Sequence, residues 1–111
     1  MKNIVNANDV IKVNVENPEG ESLGEIQALM LDKITGKVAY VVLSFGGFLG
    51  MGSKLFALPW AVFSYNKDRD CFVINMSKEK LRKSPGFDKD NWPDMSSPTW
   101  VSSITDHYAN L

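Results

Sequence analysis

The residues of this sequence that could bind a phosphate group or a divalent cation lie in a glycine-rich segment and in an acidic stretch. Residues 46–54 contain the glycine, serine and lysine of a phosphate-binding loop, but serine and lysine stand in the wrong order and strand-forming residues follow them. Asp88, Asp90 and Asp94 could begin a calcium loop, yet Pro93 occupies the position that requires glycine. We therefore predict a hairpin loop and a solvated acidic linker, with no phosphate or calcium site.

Nucleophilic and acid–base chemistry has few candidates, because the chain contains one histidine and one cysteine. His107 could join a catalytic triad only from a C-terminal helix, where its neighbour Asp106 would point about 100° away around the helix axis. Cys71 opens an apolar segment and is typical of a packed thiol. We predict no catalytic residue, no metal ligand and no cofactor, and hence no enzymatic activity.

Interaction surfaces have more candidates. The 12 lysines and arginines and 13 aspartates and glutamates give a net charge of −1, so a nucleic acid or an anionic lipid would need a local basic patch. Residues 78–83 supply one and support an alternative hypothesis of RNA or ribosome association, although such charges are more typical of a solvated helix face. The candidate basic patch consists of Lys78, Lys80, Arg82 and Lys83, and the candidate interaction residues are Phe48, Leu49, Met51, Trp92, Trp100 and Tyr108.

Short apolar and β-branched segments between turn residues predict an all-β fold. Residues 17–20 and 32–36 have the composition of tight turns, and Gly36 can take the positive φ that a short hairpin loop requires. Close spacing of short strands indicates a small barrel or a sandwich. The predicted strands cover residues 10–15, 23–31, 37–45, 55–59 and 71–76.

The strand over residues 37–45 is apolar on both faces, because Val38 and Val42 alternate with Val41 and Leu43. One face would point into the core, and the other needs a cover. We expect that cover to come from the tail of the chain or from a second subunit. Trp60, which follows the next strand, is interpreted as a core anchor.

Two helices are predicted after the strands. Ser77 can cap a short helix over residues 78–83, and Pro85 stops it. Ser97 and Pro98 provide the cap and the first-turn proline of a second helix. A single amphipathic helix of this length is marginal in water, so its apolar face must dock on other residues. That face consists of Trp100, Val101, Ile104, Tyr108 and Leu111.

Residues 20–60, which read GESLGEIQALMLDKITGKVAYVVLSFGGFLGMGSKLFALPW, closely resemble the PRC-barrel domain, named for the photosynthetic reaction centre. The likeness continues more loosely to the segment SKEKLRKSPGF, and the tail WPDMSSPTWVSSITDHY is similar to the ending of small stand-alone bacterial members. This resemblance implies a compact closed β-barrel of about six strands. It also implies non-enzymatic protein binding, as in the cytoplasmic assembly domain of the reaction-centre H subunit and in the ribosome maturation factor.

Together these features predict a barrel domain over residues 1–87 and a tail over residues 88–111, whose helix packs on the barrel or on a partner subunit. We expect a cytoplasmic interaction or assembly module, because no apolar run approaches the length of about 20 residues that spans a membrane. The expected partner is a second copy, in a homodimer, or another protein. Small-ligand binding near residues 46–54 stays open as an alternative, beside RNA or ribosome association.

Overall fold

One six-stranded sheet carries most of the regular structure in this computed structural model, which describes residues 3–46 and 53–111. The strands are β1 (Asn14–Glu16), β2 (Ser22–Leu31), β3 (Val38–Gly46), β4 (Ser53–Pro59), β5 (Ser64–Asn66) and β6 (Cys71–Val73), and the α-helices are α1 (Lys78–Arg82) and α2 (Pro98–His107). The strand order is β4-β3-β2-β1-β6-β5. Neighbouring strands are antiparallel except β1 and β6, which are parallel. The fold is therefore mostly β with a few short helices.

The two predicted turns are confirmed. The backbone N–H of Gly20 donates to the carbonyl of Asn17 at 2.9 Å, and the N–H of Gly36 donates to the carbonyl of Asp32 at 2.8 Å. Gly36 has a φ of +79°, as its turn requires. The Asp32 carboxylate also accepts from the N–H of Ile34, which fixes the turn locally. These hairpins set the antiparallel pairing of β2 with β1 and with β3.

The first strand begins later than predicted. Residues Ala7–Asp9 form a 3-10 turn, capped by the Asn6 side chain, which accepts from the N–H of Asn8 at 2.9 Å. Lys12 has a φ of +73°, which interrupts the extended backbone. Lys12 and Val13 still form backbone hydrogen bonds with Ile26 of β2, but the positive φ at Lys12 keeps them out of the regular strand, which starts at Asn14.

Strand β3 is covered on both faces by the same chain. Val41 and Leu43 belong to the core on one face. Val42 points to the other face by strand alternation and is nevertheless fully buried. Helix α2 contacts β4, the neighbour of β3, and Trp100 of α2 packs edge to face on Tyr40 with ring centroids 4.9 Å apart. The tail of the chain is therefore the cover, which is one of the two sources expected from the sequence.

Both helices begin where the sequence predicts. The Ser77 hydroxyl accepts from the N–H of Lys80 at 3.1 Å, and the Ser97 hydroxyl accepts from the N–H of Trp100 at 3.5 Å. Leu81 of α1 is fully buried and joins the same core as the buried residues of the sheet. Among residues 3–46 and 53–111, no helix has the length and apolar character needed to cross a membrane.

The strand pairs of the described residues do not close the sheet into the barrel that the sequence predicted. Strands β4 and β5 are its two edge strands. Pro59 ends β4 because it has no N–H to donate. The outer edge of β4 is protected, since Leu55 exchanges two backbone hydrogen bonds of 2.8 Å with Phe87. Within the described residues, β5 has β6 as its only strand neighbour. The short strand β5 is therefore a free edge.

Candidate functional site

The structure describes three of the six candidate interaction residues, namely Trp92, Trp100 and Tyr108. Phe48, Leu49 and Met51 lie outside the described residues. Trp92 is 41% exposed and packs against Phe87 with ring centroids 5.2 Å apart, so it stays a candidate. Trp100 is half-buried against the chain's own sheet.

Tyr108 is not part of an exposed surface, which corrects the expectation from the sequence. It is 2% exposed and belongs to the hydrophobic core together with Ile104. The reason is that α2 docks on its own chain, which buries Tyr108 and Ile104 in the core cluster. Burial raises the pKa of the Tyr108 hydroxyl, and the neighbouring Ser84 hydroxyl opposes this shift more weakly.

Trp60 also differs from the expectation, because it is 41% exposed and is not a core anchor. The 3-10 turn Trp60–Val62 follows Pro59 directly and is closed by the N–H of Phe63, which donates to the carbonyl of Trp60 at 3.1 Å. This turn carries the indole past the end of β4 to the free end of the sheet, beside β5. The interpretation as a core residue is therefore wrong.

At this end of the sheet, Trp60 meets aromatic residues from β5 and β6. Tyr65 of β5 pairs directly with Phe72 of β6, and their ring centroids are 5.2 Å apart. Trp60 contacts Phe72 edge to face at 6.0 Å, and Phe63 does so at 6.4 Å. Aromatic pairs in this geometry stabilise one another by about 0.5–1.5 kcal/mol beyond the burial of their area. The rings are thus held in one arrangement although two of them face solvent.

We name Val5, Trp60, Tyr65 and Phe72 the aromatic patch. Tyr65 is 46% exposed and Val5 is 49% exposed. A contiguous exposed group of large apolar side chains is a candidate binding surface. The patch borders a cleft of about 470 Å³ that is lined by Asn3, Val5, Asp9, Val10, Val13, Trp60, Tyr65, Asp70 and Phe72.

A short polar turn positions the charged side of this cleft. Asn66 accepts from the N–H groups of Asp68 and Arg69 at 3.0 and 3.2 Å, which folds the turn over residues 66–70. The Tyr65 hydroxyl donates a hydrogen bond to the Asp70 carboxylate. That hydrogen bond is the main reason that the pKa of Tyr65 is raised. The carboxylate is therefore fixed at the border of the aromatic rings.

The same turn is attached to β1 by an ion pair. The Arg69 guanidinium donates to both oxygens of the Glu16 carboxylate, with Nε–Oε1 and Nη2–Oε2 distances of 2.9 Å each. The hydrogen bond from Arg69 is the largest cause of a lowered pKa at Glu16. Burial raises the pKa of the neighbouring Cys71 thiol, as expected for a packed and unreactive cysteine. This group of residues holds the turn in place.

We expect this ion pair to make stability depend on pH in the acid range. A carboxylate with a lowered pKa in the folded state stabilises the fold fully above its ordinary value of 4.5. That stabilisation is lost as the pH falls through the lower folded-state pKa. Urea unfolding from neutral pH to about pH 3 should show a shallower acid decline in Glu16→Gln than in the unmodified chain. The control Glu19→Gln, at an exposed position of the turn of residues 17–20, should keep the original slope; equal slopes in both variants would contradict the role of Glu16.

The structure brings His107 to Ser84, a contact that the sequence did not predict. The His107 Nε2 and Ser84 Oγ atoms are 2.9 Å apart, and the Ser84 hydroxyl donates to the carbonyl of Lys80 at 2.8 Å. The Ser84 oxygen therefore accepts from His107, and its proton is not directed to the imidazole. Ser84 is 2% exposed, which removes it from contact with a substrate. The pair joins α2 to the end of α1, which is a structural role.

The candidate basic patch lies on and just after α1, and the structure adds one cation to it. The Lys54 ammonium donates to the carbonyl of Arg82 at 3.4 Å, although 28 residues separate the two in sequence. The Arg82 guanidinium lies 5.8 Å from the centroid of the Phe45 ring. Lys83 pairs with Glu79 at 3.3 Å, and both side chains are largely exposed. Lys78 and Lys80 also lie on α1. Because Lys80, Arg82 and Lys83 are exposed, the basic patch is a mostly solvated surface.

Metal ligands are not brought together in the part of the chain that the structure describes. Within residues 3–46 and 53–111, no three side chains of histidine, cysteine, aspartate or glutamate form a group that could hold a metal ion. The acidic linker residues Asp88 and Asp90 instead bond locally, with the Asp88 carboxylate accepting from the N–H of Asp90 at 2.9 Å.

The sequence did contain one signal for the aromatic patch. Tyr65 stands two residues before Lys67 and Phe72 two residues after Asp70, and aromatic residues placed symmetrically about a polar turn predict a cross-strand pair. Trp60 gave no such signal, because its position depends on the 3-10 turn after Pro59.

Trp60→Ala should lower the free energy of unfolding by about 1–2 kcal/mol, because the side chain is only partly buried. Phe56→Ala is the matched comparison, since Phe56 is fully buried and its loss should cost about 3–5 kcal/mol. Urea unfolding of the two variants measures both values. A loss of unfolding free energy in Trp60→Ala as large as that in Phe56→Ala would show that Trp60 is a core residue.

Comparison with known proteins gives one finding on the family and none on a specific relative. The family model for the PRC-barrel domain matches residues 2–81 of the chain. No protein with a curated description matches the chain significantly. The matched region includes all six strands, α1 up to Leu81 and the three aromatic rings of the aromatic patch.

Proposed function

Because the chain belongs to the PRC-barrel domain family, we propose that it is a non-enzymatic protein-interaction module with the aromatic patch as its binding surface. The family is associated with protein interaction, and the chain's own residues indicate where that interaction occurs. The observation that carries the proposal is the exposure of Trp60 and Tyr65 beside the free edge strand β5. Large aromatic side chains are enriched at the centres of protein interfaces.

The geometry of the other candidate surfaces supports this choice. The tail helix is docked in cis, so the second face of β3 does not need a partner. At the aromatic patch, rings that already contact Phe72 lose little conformational freedom when a partner covers them, which lowers the entropic cost of binding. The Ser84 hydroxyl donates to the carbonyl of Lys80 and not to His107, which supports a role without catalysis.

Partner capture with surface variants tests the proposal. The full chain is immobilised, and proteins retained by the unmodified chain are compared with those retained by Trp60→Ala and Tyr65→Ala. We expect retention of a specific partner to be lost in both variants. Ile34→Ser is the control, because Ile34 is 87% exposed in a different hairpin. A partner that binds all three variants equally would contradict the aromatic patch as the interface.

Self-association is a second candidate, supported by the free edge of β5. Two copies could pair these edges in antiparallel fashion and cover both aromatic patches by one two-fold axis. A specific dimer needs to bury at least about 1,000 Å² in total. Sedimentation of the unmodified chain should then show a dimer that Tyr65→Ala dissociates. A monomer over the accessible concentration range would oppose a homodimer.

RNA or ribosome association is a weaker alternative, and Lys54 is the observation that favours it, because it extends the basic patch of α1. Such binding should weaken steeply as salt rises, since phosphate contacts release counterions. Absence of RNA binding at low salt would remove this alternative. Ligand binding near residues 46–54 concerns residues mostly outside the described part of the chain, and mass spectrometry of the native protein tests it by showing or not showing a retained ligand.

A further inference from the structure

The cleft beside the aromatic patch has the composition of a site for an organic cation. Its volume of about 470 Å³ is within the usual range for ligand sites. Among the described residues that line it, the charged ones are Asp9 and Asp70, and none is a lysine or an arginine. Arg69, next to Asp70 in sequence, is already held by two hydrogen bonds to Glu16. The described residues of the lining therefore carry a net negative charge.

The aromatic rings provide a second attraction for a cation. The negative face of an aromatic ring attracts a cation that lies within about 6 Å of the ring centroid. Trp60 and Tyr65 line the cleft and keep 41% and 46% of their surface exposed, so ring surface is available to an occupant. Their contacts with Phe72 hold both rings before any ligand binds. Such preorganisation lowers the entropic cost of binding.

The hydrogen bond between Tyr65 and Asp70 favours a cation with N–H donors. The Tyr65 hydroxyl occupies one oxygen of the carboxylate, and the second oxygen keeps its lone pairs for another donor. A guanidinium group is planar and weakly hydrated, so it can stack on an aromatic ring while its N–H groups donate to carboxylates. A metal ion fits less well, because the described residues offer no group of three ligating side chains.

We infer that this cleft binds the guanidinium group of an arginine side chain that a partner protein presents. That a partner protein supplies the arginine rests on the proposed function. That the cleft binds a guanidinium group rests on the residues that line the cleft. The free edge of β5 adjoins the cleft through Tyr65, so the segment that carries the arginine can also form backbone hydrogen bonds with β5.

Titration of the full chain with N-acetyl-arginine amide, followed by nuclear magnetic resonance, tests the chemistry without any partner. The indole N–H signal of Trp60 and the amide signals of Tyr65 and Asp70 should shift and saturate in the millimolar range. N-acetyl-citrulline amide is the matched neutral probe, and it should bind at least about 5-fold more weakly. Equal binding of the two probes would overturn the inference.

Charge-removing variants identify the site. Asp9→Asn and Asp70→Asn keep the size of each side chain and should each weaken arginine-amide binding about 2- to 5-fold. Asp90→Asn, an exposed residue of the linker, is the control and should leave binding unchanged. Unfolding midpoints of the three variants confirm that each is folded. Unchanged binding in both cleft variants would show that the carboxylates do not hold the guanidinium group.

The partner-capture experiment separates this inference from the proposed function. A partner that is lost in Trp60→Ala, but binds the double variant Asp9→Asn with Asp70→Asn at full strength, would keep the aromatic patch as the interface and overturn the guanidinium site. In the opposite case, the arginine amide binds at the cleft but Trp60→Ala still retains the partner. That result would overturn the proposed interface, and it would also overturn the partner protein as the source of the arginine.

Discussion

Gly24→Ala is expected to destabilise the fold by more than about 3 kcal/mol, because two separate costs add at this position. Gly24 has a φ of +117°, which side-chain-bearing residues rarely adopt. A Cβ atom there would also lie 2.0 Å from the carbonyl oxygen of Ser44 in the paired strand β3. The obstacle is backbone, so a change of side-chain rotamer cannot relieve the contact. Only a displacement of β2 from β3 would make room.

Gly20→Ala is the matched control for this prediction. Gly20 also has a positive φ, of +83°, but a Cβ atom at that position would meet nothing within 4 Å. The cost should therefore be the backbone strain alone, about 1–2 kcal/mol. Urea unfolding of both variants separates strain from collision. Equal losses would mean that β2 and β3 can move apart at Gly24 without penalty.

Ile104→Ala should destabilise the chain by about 2–4 kcal/mol, because it creates a cavity where α2 meets the core. Ile104 is 2% exposed and belongs to the same hydrophobic cluster as Phe56 and Leu58 of β4. A loss of this size is expected only if the tail helix is docked in the folded state. The measurement is chemical unfolding monitored by circular dichroism, at several protein concentrations.

Thr105→Ala tests whether the effect of Ile104 arises from packing. Thr105 is the next residue on α2 and is exposed, so its replacement should change stability by less than about 0.5 kcal/mol. Loss of a similar small amount at Ile104 would show that α2 does not stabilise the sheet. A midpoint for the unmodified chain that rises with protein concentration would instead indicate that the tail packs on a second copy.

Because the tail packs on the sheet beside β3, the proposed interface is not at β3. It lies at the edge strand β5. The sequence predicted that the apolar second face of β3 is covered by the tail or by a second subunit, and Val42 is buried within the chain itself. The exposed apolar area that the described residues leave for a partner includes Trp60 and Tyr65, beside β5. A partner at that edge would contact side chains and an unpaired strand together.

Local chemistry allowed several elements to be predicted. The turn ending at Gly36 depends on residues within five positions of one another, as do the caps formed by Ser77 and Ser97. Such elements follow from the sequence because their hydrogen bonds close over a few residues. The predicted start of β1 was wrong because the positive φ of Lys12 interrupts the extended backbone, which the alternating pattern did not indicate.

The candidate site was less predictable, because its members come from distant parts of the chain. Val5, Trp60 and Phe72 meet only after β5 and β6 pair and the 3-10 turn positions the indole. The same holds for Lys54 beside Arg82 and for His107 beside Ser84. None of these contacts has a sequence spacing that a periodic pattern could express.

The sequence by itself determined the family, the mostly β character, the hairpins and the amphipathic tail helix, because these follow from residue types and short-range periods. The tertiary structure decided which apolar surfaces are covered. An apolar pattern states that a face must be buried, but the partner that buries it depends on contacts across the whole chain. Those contacts cover β3 and Tyr108 with the chain's own residues, and they leave Trp60 and Tyr65 exposed at the free edge of the sheet.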